Sequence, residues 1–240
     1  MEKLASNTIE TKTPGLWWKL LCAFLMVYTV VGGFYGKAPA LPILETSIRN
    51  LYFHVPLWFA MLLLMGASAW YAIKALREGG NPQKDLAKLE GFDLLSNAQA
   101  QVGFYFGIVG LITGMIWAKY TWGDWWSADP KQNGTAVCLL LYAAYFILRS
   151  SISDRDSRLK VSAVFNIFCF SMVIPLLYIL PRLRDSLHPG NGGNPGFNAY
   201  DLDSNLRMVF YPAVLGYILL AFWIASIQHR IEQKRQLSIQ

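Results

Sequence analysis

Six apolar stretches, at about 17–36, 51–74, 95–118, 134–149, 161–180 and 207–227, set what this chain can fold into. A helix needs roughly 17–25 apolar residues to cross a bilayer. Five of the stretches reach that length, and the fourth falls slightly short unless its flanks extend it. Hydrocarbon offers backbone N–H and C=O groups no partner, so segments of this kind span a membrane as helices. All 15 acidic and all 21 basic residues lie outside the stretches or at their margins, as the cost of a charge in lipid requires. Only 15% of the chain is charged and 54% is hydrophobic, against about a quarter charged in a soluble domain. The pattern predicts an all-α integral membrane protein, a bundle of about six transmembrane helices forming one domain over 1–240.

The charges also orient the bundle. With six spans, the N-terminus, the second and fourth loops and the C-terminus share one side, which carries 14 of the 21 basic residues, against 7 on the other. The positive-inside rule places the richer side, and both termini, in the cytoplasm. This topology explains the net charge of +6 without nucleic acid. Ala38-Pro39-Ala40 resembles a small-residue cleavage site. The preceding apolar stretch is long for a signal peptide and a proline sits at the cut, so that stretch is read as a retained span. Cys22, Cys138 and Cys169 all fall within spans, with no spacing suited to zinc, and read as packing residues.

The third loop, about 119–133, faces outward in this topology. It contains Trp122, Gly123, Asp124, Trp125, Trp126, Ser127, Ala128, Asp129, Pro130 and Lys131. Interfacial tryptophans normally scatter over many helix ends, as Trp17, Trp18 and Trp223 do, whereas here three lie within five residues. Two histidines join them on that side: His54 at the outer end of the second span, and His188 in the outer loop at about 181–206. His229 falls on the cytoplasmic side.

A porphyrin needs flat apolar faces, axial iron ligands and cations for its propionates. Tryptophan rings can supply the first and neutral imidazole the second. Arg182, Arg184 and Lys131 are the best placed cations, through charge-assisted hydrogen bonds, although basic residues at a membrane edge also contact lipid head groups. Asp129 can orient a histidine, meet an incoming partner or remain solvated. In the third span, Asn97, Gln99, Gln101 and Thr113 are expected to hydrogen-bond between helices. Gly103, Gly107, Gly110 and Gly114 are expected to offer a small-residue face to a neighbour.

The run Leu111-Ile112-Thr113-Gly114-Met115-Ile116-Trp117-Ala118-Lys119 leading into Trp122-Gly123-Asp124-Trp125-Trp126-Ser127-Ala128-Asp129 resembles the WWD domain of haem-handling membrane proteins in cytochrome c biogenesis. His54-Val55-Pro56 and His188 look like that family's flanking histidines. The resemblance covers roughly 50–225 and is strongest to the CcmC branch; the longer CcmF- and CcsA-type components carry further spans and histidines. It implies haem b as a transferred cargo at the outer face of a bacterial cytoplasmic (inner) membrane. His54 and His188 would be the iron ligands, with Trp122, Gly123, Trp125, Trp126 and Asp129 beside the haem. It further implies delivery to a CcmE-like haem chaperone, in company with a CcmA/CcmB-like ABC transporter and a small CcmD-like protein. Two positions depart from the family's W-G-x-x-W-x-W-D pattern. Ala128 stands where its last tryptophan is expected, and Lys131 where arginine is common, which keeps the charge and loses the bidentate fork.

Three other readings stay open at this point: a CcsA-type haem lyase component, a cytochrome b-like electron carrier and a transporter without haem. The electron carrier would want histidines at mid-span, and the transporter would want ionisable or broken-helix features there. The chain has no triad, phosphate-loop or metal-hydrolase motif, which favours transfer over bond-making chemistry.

Overall fold

Four aspartates start four of the helices. In the computed structural model, which describes residues 15–39, 46–188 and 202–238, Asp85, Asp129, Asp154 and Asp203 stand at the N-caps of α3 (Leu86–Trp122), α4 (Pro130–Ser151), α5 (Arg155–Ile174) and α7 (Ser204–Leu237). Their carboxylates accept backbone N–H groups of the first turn, such as Lys131 at 2.8 Å and Leu206 at 2.7 Å. Each cap satisfies donors that the helix cannot satisfy itself. Acidic residues kept out of lipid thus fix where helices begin.

The remaining elements are α1 (Trp17–Tyr35), a 3-10 turn (Thr46–Asn50) leading directly into α2 (Leu51–Gly79), and a short α6 (Leu180–Leu183). A π-helical turn, Pro175–Ile179, joins α5 to α6, so Arg155–Leu183 acts as one span. Among the described residues, six helical spans are thus long and apolar enough to cross a membrane, and the protein is a multi-pass, all-α membrane protein. Several run beyond the stretches marked by hydropathy. With 37 residues, α3 is about 55 Å long at 1.5 Å per residue, well above the roughly 30 Å of a hydrocarbon core. Its last turn carries Lys119–Trp122, so the non-helical part of the third loop is 123–129 and not 119–133. In the next outer loop, expected over 181–206, residues 181–183 and 204–206 are helical; 189–201 lie outside the described residues.

The central helix is α2, which packs against α3, α5 and α7, while α1 packs on α7. The glycine face expected on α3 is turned to α2. A Cβ at Gly103 would meet Met65, one at Gly107 Met61, one at Gly110 Trp58 and one at Gly114 His54, all within 3.2 Å. Small residues let two backbones approach closely where lipid provides no hydrophobic drive. Inside the bundle, Ser68 and Ser96 exchange hydrogen bonds to each other's carbonyls at 2.6 and 2.9 Å, and Asn166 Nδ2 donates to both hydroxyls. This ties α2, α3 and α5 together.

At the end of the bundle where α2 finishes and α3 begins, Asn97 and Gln101 each donate to Glu232 Oε1 at 2.8 Å, the interhelical role expected of them. Arg149 forms a two-pronged pair with Asp93 at 2.7 and 2.5 Å. The opposite end gathers the ends of α1, α3 and α6 and the starts of α2, α4 and α7, and it holds both candidate histidines.

Candidate functional site at the histidine end

His54 sits in the first turn of α2, 7% exposed. Trp58, one turn further along the same face, points its indole Nε1 at His54 Nε2, 3.1 Å away. An indole N–H can only donate, so Nε2 is the acceptor and the ring's proton is on Nδ1. That nitrogen lies 3.1 Å from Thr113 Oγ1. The Thr113 hydroxyl spends its own hydrogen on the carbonyls of Val109 and Gly110, at 2.9 and 3.0 Å, and so accepts from His54. The chain of donors runs Trp58 to His54 to Thr113 to the α3 backbone. The ring is further boxed edge-on by Trp58 and Trp117, each with centroids 5.9 Å away, and it fills the space Gly114 leaves.

The tryptophan loop is set between two cap signals. Gly123 ends α3 with φ 88°, the left-handed C-cap conformation that glycine adopts without strain. At the other end, Asp129 caps α4 and Pro130 occupies its first turn, where a missing N–H costs nothing. Between them, α4's first turn braces the loop. Gln132 Oε1 accepts from both the N–H and hydroxyl of Ser127 at 3.0 Å. Asn133 accepts from Trp126 Nε1 at 3.1 Å and donates to the Ala128 carbonyl at 3.0 Å. Ala128 has φ 55°, a conformation costly for a residue with a Cβ. Trp125 and Trp126 remain exposed.

Asp129 is buried, 4% exposed, and its carboxylate is the hub of this end. Besides the Lys131 N–H, it accepts from the Ser186 hydroxyl at 2.8 Å and the Leu187 N–H at 2.7 Å. His188 Nδ1 lies 2.9 Å from Oδ1. Burial pushes the carboxyl's pKa up, but the bond and charge of His188, with the Leu187 and Ser186 bonds, outweigh it and hold Asp129 well below the usual carboxylate range. An ionised acceptor requires that Nδ1 carry hydrogen, which leaves the lone pair of the neutral ring on Nε2. The His188 ring meets Trp122 edge-on at 4.9 Å, and the two histidines are close enough to interact electrostatically.

The sequence-predicted residues divide accordingly. His54, His188, Trp122, Gly123, Trp125, Trp126 and Asp129 are brought to one end. Lys131 lies close enough to Asp129 and Arg182 to feel both charges. Arg182 and Arg184 are exposed at the same end. His229 is buried at the other end. Among the residues read as structural, Thr113 belongs to the site through His54. Trp58, Gln132 and Asn133 join the site with little sign in the sequence beyond the i, i+4 spacing of Trp58 from His54.

Among the described residues, no group of three or more His, Cys, Asp or Glu side chains is gathered to hold a bare metal ion. Two imidazoles, one oriented by a carboxylate, with indole rings beside them and basic side chains at the rim, suit a flat aromatic metal chelate with anionic edge groups better than a naked cation.

Residues 15–188 match the family model described as Cytochrome C assembly protein. Heme exporter protein C of Haemophilus influenzae is 27% identical over 220 residues, covering 88% of this chain and 83% of that protein. Two proteins named Cytochrome c biogenesis protein CcsA match over shorter stretches. The one from Synechococcus sp. strain RCC307 is 40% identical over 87 residues, 36% of this chain and 28% of its own length. The one from strain WH7803 is 38% identical over 116 residues, 48% of this chain and 35% of its own length.

Proposed function

The chain belongs to the cytochrome c assembly protein family and serves cytochrome c biogenesis; from that premise we propose that it binds haem b at the outer face of the membrane and hands it on. The observation that carries this reading is the Asp129–His188 pair at 2.9 Å, beside Trp122 and on the same end as His54. A carboxylate on one imidazole nitrogen fixes the tautomer and makes the other a better ligand. His188 is then a prepared axial ligand and His54 the second. Trp122, Trp125 and Trp126 offer flat faces, and Lys131, Arg182 and Arg184 offer charge to the propionates.

A site with exposed tryptophan faces suits a cargo that must leave. The acceptor is a haem chaperone of the CcmE kind, and the neighbours in the membrane are a CcmA/CcmB-like ABC transporter and a CcmD-like small protein. Several observations support this assignment: the likeness to an exporter component over 88% of this chain, the resemblance of the tryptophan loop, and a charge bias that favours an outward-facing histidine end; the membrane is then a bacterial inner membrane. No bond-making step falls to this chain. The whole forms one membrane domain.

A CcsA-type lyase role is favoured by the higher identity to those proteins, but that likeness is confined to less than half of this chain. The two readings separate on the acceptor. Haem-loaded protein in detergent is mixed with a purified haem chaperone or with an apocytochrome carrying a CXXCH site. Transfer to the chaperone alone supports the export reading, and direct attachment to the apocytochrome overturns it.

A further inference from the structure

We infer that Trp58 is a latch on the haem site: its indole N–H occupies the His54 lone pair, so that His54 becomes an iron ligand only when Trp58 lets go. This rests on the reading of His54 and His188 as the ligand pair. An imidazole nitrogen has one lone pair in the ring plane, which serves either a hydrogen bond or a metal. His54 Nε2 accepts from Trp58 Nε1 at 3.1 Å, and its other nitrogen carries the hydrogen held by Thr113 Oγ1 at 3.1 Å. Neither nitrogen is open.

His188 differs. Its Nδ1 is engaged by Asp129, and Nε2 has no hydrogen-bond partner among the described residues. The two imidazoles are therefore unequal: one is presented, and the other is buried and capped from its own helix. Haem meets His188 first. The bond to His54 then replaces the one from Trp58, and each loss of iron lets the indole return. Such competition loosens the grip without removing the ligand, as a site that releases its cargo requires. Trp58 has a fixed seat for this exchange, because its ring lies over Gly110, where even a Cβ would come within 3.0 Å of Cζ2. Thr113 holds the ring orientation while the indole moves. Trp58 is thus a positioning residue, acting on iron only through His54.

A net hydrogen bond of ordinary strength corresponds to roughly a two- to tenfold change in an equilibrium, which sets the expected effect. Detergent-purified wild type, Trp58→Phe, and protein carrying benzothienylalanine at position 58, an isostere lacking the N–H, are loaded with hemin. Release is followed by capture in excess apomyoglobin, with the six-coordinate low-spin fraction read from the absorption spectrum. Both replacements should slow release by roughly two- to tenfold and raise the six-coordinate fraction. The difference should vanish in a His54→Ala background.

Unchanged or faster release in the benzothienylalanine protein, while His54→Ala still alters the spectrum, overturns the latch and leaves the ligand assignment intact. If neither His54→Ala nor His188→Ala alters the spectrum, the ligand assignment and the latch fail together.

Discussion

Nδ1 of His188 lies 2.9 Å from Oδ1 of Asp129, and the same carboxylate caps α4 through the Lys131 N–H. One side chain therefore starts a membrane helix and sets the ring of the outermost candidate ligand. The two duties separate by substitution. Asn keeps an oxygen for the cap but loses the charge that orders His188, whereas Ala loses both.

Asp129→Asn keeps one oxygen for the cap but sets an NH2 against donors that now meet Oδ2, the Ser186 hydroxyl and Leu187 N–H, so it should lose about 1–3 kcal/mol of stability and bind hemin roughly 10- to 100-fold more weakly, the usual cost of removing the partner of a ligating histidine. Asp129→Ala should weaken binding similarly and lose the cap as well, about 0.5–2 kcal/mol beyond the loss in Asp129→Asn. Hemin titration beside a thermal melt separates the two.

Gly114→Ala places a Cβ 2.7 Å from His54 Cε1, in a ring held on both nitrogens. Gly107→Ala instead meets the flexible ends of Leu139 and Met61, at 2.7 and 2.9 Å. Overpacking a held group costs about 1–3 kcal/mol. The expected outcome is a displaced haem spectrum for Gly114→Ala and an unaltered one for Gly107→Ala, with a smaller loss of melting temperature in the latter.

Ala128 holds φ 55°, and its carbonyl is already anchored by Asn133. Glycine at that position removes the steric cost of the left-handed conformation, roughly 1–2 kcal/mol, less the entropy glycine gains when unfolded. Ala128→Gly should raise the melting temperature slightly and leave hemin affinity as it is. A lower melting temperature would show that the loop does not hold this conformation.

Arg149 and Asp93 test the far end. Removing only Arg149 leaves a buried carboxylate unpaired, a loss of about 3–5 kcal/mol. Replacing both by leucine should cost much less. Melts of Arg149→Ala and the double variant, with hemin binding followed alongside, should separate stability from the site, since neither change touches the histidine end.

Much of this was legible in the sequence, for physical reasons that differ by residue. The spans, the acidic margins and the α3 glycine face follow from what lipid forbids and what close helices need. The true ends of the tryptophan loop were written in Gly123, a helix stop, and in Asp129-Pro130, a helix start. Hydropathy alone missed them because Lys119–Trp122 are polar or interfacial while still helical. Asp129 was visible only as three alternatives, since its partners Ser186, Leu187 and His188 arrive from another loop. The capping of His54 by Trp58 was hidden for a similar reason. The i, i+4 spacing was present, but the tautomer that closes Nε2 depends on Thr113 of the facing helix. Arg149 was counted among the charges that orient the bundle; its pairing with Asp93, 56 positions away, has no local sign.

Joint ligation of haem by His54 and His188 at one end of the bundle is what everything above turns on. Its most direct test is the absorption spectrum of the protein purified in detergent from haem-replete cells, beside His54→Ala and His188→Ala. The wild type should show a b-type spectrum with a six-coordinate low-spin component that each substitution diminishes. Colourless wild-type protein, or spectra unchanged in both variants, would contradict it.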